Sequence, residues 1–84
     1  MKKSTERTEK ILEDVLLAIR KAMEYHRLLR IIYDKDGEFT ERVIRPDHIK
    51  ETELYAYCYM RHGKRRFRLE NIVAAMMLPE KENQ

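Results

Sequence analysis

Five cations crowd into eight residues of this sequence, Arg61, Lys64, Arg65, Arg66 and Arg68, with no acid among them. Tyr55, Tyr57 and Tyr59 alternate just ahead of that cluster, Phe67 sits inside it, and Arg42 and Arg45 lie upstream. Guanidinium forks hold phosphate in a planar, two-point fashion, and aromatic faces stack bases. The mixture is that of a surface for single-stranded nucleic acid or a phosphorylated nucleotide. Alternation puts Lys64, Arg66 and Arg68 opposite Phe67 and Leu69, so these cations face solvent or ligand. Arg65 shares the face of Phe67 but lies at a strand start, where it reaches past the core. A plainer reading fits the same residues, since a basic strand edge also resists aggregation.

Other chemistry finds little support. His26, His48 and His62 are far apart, and nothing around them has metal-ligand spacing. Cys58 alternates with Leu54 and Ala56 as a small buried hydrophobe, with no neighbouring base to make it a nucleophile. The sole serine, Ser4, stands near the N-terminus, and there is no glycine-rich phosphate loop or serine elbow. No catalytic residue, metal or cofactor is expected. The 18 Lys+Arg and 15 Asp+Glu leave a net charge of only +3, so any strong field comes from clustering. A single cysteine closes no internal disulfide and fits a cytoplasmic location, and no apolar run is long enough to span a membrane.

The 84 residues suffice for one domain with a thin core. Ile11, Leu12, Val15, Leu16, Ile19, Ala22 and Met23 recur at spacings of three and four, predicting a helix over about residues 4–27 with Ser4 or Thr5 as cap. The period then shortens to two. Strands are predicted over 28–33, 39–45, 53–60, 64–69 and 72–78, with turns at Asp34–Gly37 and His62-Gly63. Pro46 is expected to end the second strand, a polar connection to follow from His48 to Thr52, and residues 79–84 to form a polar tail. One helix and five short strands predict an α+β, mainly β domain, in which the helix covers a small, bent antiparallel barrel.

From Leu17 onward these segments resemble the WYL domain, a small Sm-like barrel of bacterial transcriptional regulators. Ala18-Ile19-Arg20 with Leu29–Tyr33 is similar to the helix end and first strand of that family. Glu41–Pro46 resembles its Arg-rich second strand, Leu54–Cys58 the strand following the Trp-Tyr-Leu trio, and Arg65–Ile72 its RxFRLDRI segment. Thr52 and Glu53 stand where the family usually has Trp and Tyr, and Asn71 replaces the second arginine of the last segment. The usual helix-turn-helix has no counterpart in the single helix ahead of the strands.

The resemblance implies a sensing module in transcription regulation, with Arg65 facing the ligand and His48 bordering its pocket. The candidate site is therefore Arg42, Arg45, His48, Tyr55, Arg61, Arg65, Phe67 and Arg68. Arg65 and Arg42 would grip phosphate, Arg61 and Arg68 steer it, and Tyr55 or Phe67 support or stack. A partner regulator and a homodimer or larger homo-oligomer are also expected. The rival expectation is an assembly role, in which barrel edges pair between subunits and Val73, Met76 and Met77 lie at the interface.

Overall fold

The computed structural model describes residues 2–80, with side chains from Leu12 onward. A helix, α1 (Lys2–Tyr25), precedes β1 (Leu29–Lys35), β2 (Glu38–Lys50), β3 (Glu53–Cys58), β4 (Gly63–Arg68), a 3-10 turn (Leu69–Asn71) and β5 (Ile72–Met77). The strands form one antiparallel sheet in the order β4-β3-β2-β1-β5. This is the expected helix followed by five strands, although the sheet is bent and not closed. Of the expected tail, Pro79 and Glu80 are exposed and outside any strand, and residues 81–84 lie outside the described residues.

Burial in α1 follows the helical period through Val15, Ile19 and Ala22, while Leu17 points away and is exposed. The helix starts at Lys2, so Ser4 and Thr5 lie within it and do not cap it. It ends at Tyr25, two residues before the expected boundary. The Arg27 N–H donates to the Ala22 carbonyl at 2.9 Å and the His26 N–H to that of Met23 at 3.4 Å. With His26 at φ 56°, this is a Schellman ending whose left-handed residue is not glycine. A composition-based boundary overshoots because the usual Gly is missing.

The β1–β2 hairpin turns at Asp36 and Gly37, both with positive φ, between the paired Lys35 and Glu38. The Gly37 N–H donates to Asp34 Oδ1 at 2.9 Å. In the second expected turn the positive φ falls on His62, and Gly63 already begins β4.

β2 is the longest strand and sets the bend. It pairs with β1 from Glu38 to Ile44 and with β3 from Ile44 to Lys50, so the two partners overlap only at Ile44. The expectation that Pro46 ends this strand is therefore corrected, as is the polar connection placed from His48. Past Ile44, β2 has no partner on the β1 side, and a sheet accepts proline at such an edge. Pro46 is buried against its register partner Ala56.

The core gathers Val15, Ile19 and Ala22 of α1 with Leu29, Ile31, Ile44, Leu54, Ala56, Cys58, Phe67, Leu69 and Ile72. Tyr33 links two strands that are not neighbours in the sheet. Its ring meets Phe67 edge-on at 5.1 Å between centroids, and its hydroxyl accepts the Arg68 backbone N–H at 3.0 Å. The end of β4 is thereby drawn over β1. No helix among the described residues is long and apolar enough to cross a membrane.

Candidate functional site

Leu54, Ala56 and Cys58 alternate inward along β3, which turns Tyr55 and Tyr57 to the other side of the sheet. Register then assigns their neighbours. Tyr55 is flanked by His48 on β2 and Arg66 on β4, and Tyr57 by Arg45 on β2 and Lys64 on β4. Two rungs therefore cross the outer face of the sheet, each with a tyrosine at its centre. Successive same-face positions on a strand lie about 6.8 Å apart.

A bulge after Pro46 makes the first rung possible. Pro46 pairs with Ala56 and His48 with Tyr55, leaving Asp47 as the extra residue. Strict alternation would send His48 inward with Pro46; the inserted residue resets the phase and returns it to the outer face. There its ring lies parallel to that of Tyr55, 4.6 Å away and tilted by 5°, while Nδ1 sits 3.2 Å from Asp47 Oδ2. The second rung is tied together as well. The Arg45 guanidinium lies 5.5 Å from the centre of the Tyr57 ring, and Tyr59 meets that ring edge-on at 4.9 Å.

These residues line an open groove of about 800 Å³ formed by Arg45, Asp47, His48, Tyr55, Ala56, Tyr57, Lys64, Arg65 and Arg66. Four cations face one carboxylate, Asp47. Arg66 is partly committed, because the Tyr55 hydroxyl and then Glu53, 3.7 Å away, hold its guanidinium charged and raise its pKa. Arg45, Lys64 and Arg65 have no acid within ion-pair distance among the described residues. Arg65 pairs with Ala56 on the core side, yet it is exposed because β4 is an end strand, and it reaches the groove from the rim.

The eight expected site residues do not all converge. Arg45, His48, Tyr55 and Arg65 line the groove. Arg42 pairs with the buried Ile31 on the inner face, where Nε donates to Thr40 Oγ1 at 3.3 Å and Nη1 lies 3.8 Å from Cys58 Sγ. Phe67 is buried against Tyr33 and offers no ring face to a ligand. Arg61 is exposed in the β3–β4 turn, and Arg68 lies at the end of β4, 3.9 Å from Glu70. The groove also contains Tyr57, Lys64, Arg66 and Asp47, which were outside the expected set. Alternation had put Lys64 and Arg66 on an open face, but the pairing of Tyr57 with Arg45 needed the β2–β3 register.

Cys58 is fully buried. Burial alone would raise its pKa, but the Arg61 N–H, the Arg42 guanidinium and the Met60 N–H all turn toward the sulfur and together bring it below its ordinary 9.0. No group of three or more His, Cys, Asp or Glu suited to a metal occurs among the described residues.

The family model for the WYL domain matches residues 14–77, spanning the later part of α1 and all five strands. Among solved structures, the chain is similar to proteasome accessory factor B/C (PafBC) of Arthrobacter aurescens, with a TM-score of 0.73 and 27% identity over 81% of this chain. It spans 12% of the length of PafBC. No curated protein matches the sequence.

Proposed function

Because the chain belongs to the WYL domain family, we propose that it is a non-catalytic sensing module acting in transcription regulation. Its ligand is a single-stranded nucleic acid or a phosphorylated nucleotide, bound in the groove across β2, β3 and β4. The observation that carries this reading is the pair of rungs. Each sets a tyrosine between polar or cationic neighbours, and their spacing of about 6.8 Å matches the step of an extended nucleic-acid strand. Arg45, Lys64 and Arg65, which have no acid partner among the described residues, take the phosphates, Tyr57 offers a ring for stacking beside Arg45, and the His48–Tyr55 stack forms the other rung. Membership of the WYL family supports a regulatory setting, in which occupancy would be read by a partner protein.

The test is an amide NMR titration of the full chain with a short single-stranded oligonucleotide. Shifts concentrated on residues 45–48, 55–57 and 64–66 are expected. Binding that instead shifts the inner-face positions around Arg42, or none of these segments, would overturn the assignment.

A further inference from the structure

β5 ends the sheet on the side away from the groove, and among the described residues its backbone pairs only with β1. Ile72 to Leu78 is an unbroken run of uncharged residues in a chain that is 39% charged. End strands usually protect themselves with charges, prolines or bulges. β5 has one such device, a bulge that leaves Val73 without a partner, and Ala74 to Met77 run regularly after it.

The inner side of β5 is taken, since Ala75 and Met77 pack against the core beneath α1. The outer side is open, with Ala74 exposed and Met76 57% exposed. The Leu78 N–H donates to the Leu28 carbonyl at 2.9 Å. Antiparallel pairs alternate, so Ala74 and Met76 spend their backbone groups on β1, while those of Ala75 and Met77 point away from it. Uncommitted donors and acceptors thus run along an apolar edge. The other end strand, β4, carries Lys64, Arg65, Arg66 and Arg68, and two copies of it side by side would oppose like charges.

We infer that a second copy of this chain occupies the edge, pairing β5 with β5 antiparallel about a two-fold axis at Ala75. A two-fold interface must complement itself. About this axis the two Ala75 residues exchange both backbone hydrogen bonds, Ala74 faces the partner's Met76 in the close non-hydrogen-bonded position, and Val73 faces the partner's Met77. Every facing pair is apolar. The sheet continues across both copies and leaves one groove toward each far end.

Sedimentation velocity on the full chain at rising concentration tests the inference, with a reversible dimer as the expected state. Ala74→Lys with Met76→Lys places lysine against lysine on both sides of the axis and should weaken association by about tenfold or more. Ala74→Glu with Met76→Lys places each glutamate against the partner's lysine and should restore it. Both positions are exposed, and circular dichroism verifies that the variants fold. A wild-type monomer throughout the range overturns the inference, as does a larger ring built by β4-to-β5 pairing. Equal loss of association in both folded variants overturns it too. Oligonucleotide binding at the groove is read separately and does not bear on these outcomes.

Discussion

Replacing Tyr57 by alanine removes the ring at the centre of the second rung. Two structural contacts go with it, the edge-on approach of Tyr59 at 4.9 Å and the Arg45 guanidinium 5.5 Å from the ring centre. Stacking of a base on an aromatic side chain is worth about 1–3 kcal/mol. At about 1.4 kcal/mol per factor of ten, affinity for a short single strand should fall by roughly 5- to 150-fold. Arg45 also loses the surface that orients it, which favours the upper part of that range. Lost aromatic pairing with Tyr59 should cost about 0.5–1.5 kcal/mol of stability, so a urea melt accompanies the binding assay. Tyr57→Phe keeps the ring and should bind within about twofold of wild type, because stacking uses the ring face. Fluorescence anisotropy of a labelled oligonucleotide reads both variants. A folded Tyr57→Ala protein with wild-type affinity would refute the rung as a binding element.

The two faces of the sheet should also separate by mutation. Arg45→Ala should lower the slope of log affinity against log salt by about 0.7, the share of one single-strand phosphate contact, whereas Arg42→Ala should leave that slope unchanged; equal effects in the same titration would contradict the division. His26→Gly should raise stability by about 0.5–1 kcal/mol in urea unfolding, since glycine adopts the left-handed helix ending without the Cβ penalty; a loss would mean that the His26 side chain contributes more than its backbone costs. The lowered Cys58 pKa means that the native state releases the thiol proton before the unfolded chain does. Wild-type stability relative to Cys58→Ala should therefore rise with pH from the folded thiol's value up to about 9.0 and then level off, and a difference that stays flat or falls in urea melts would contradict the donor cage around the sulfur.

Local signals in the sequence carried the hairpin at Asp36-Gly37, the inward alternation of Leu54, Ala56 and Cys58, and the helical stripe from Val15 to Ala22. Each depends on residues close in sequence. The end of α1 was harder to place because His26 takes a conformation that usually advertises itself as glycine. Continuation of β2 through Pro46 was hidden for a related reason. Proline excludes a strand position that is flanked on both sides, and only the three-dimensional departure of β1 after Ile44 shows that this position is not. The groove was half legible. Its cations and tyrosines stood out by type, but which of them meet across strands depends on the β2–β3 register, and His48 reaches the groove only through the bulge at Asp47. That bulge brings His48 to Tyr55, whereas simple alternation along β2 puts Arg42 and Arg45 on opposite faces.

Salt-dependent anisotropy of the unmodified chain with short single-stranded DNA and RNA tests the central claim most directly. Arg45, Lys64 and Arg65, the three groove cations without an acid partner among the described residues, predict saturable binding whose log affinity falls with log salt at a slope of about −2. Absence of saturable binding at low salt, or binding indifferent to salt, would contradict the groove as a nucleic-acid site.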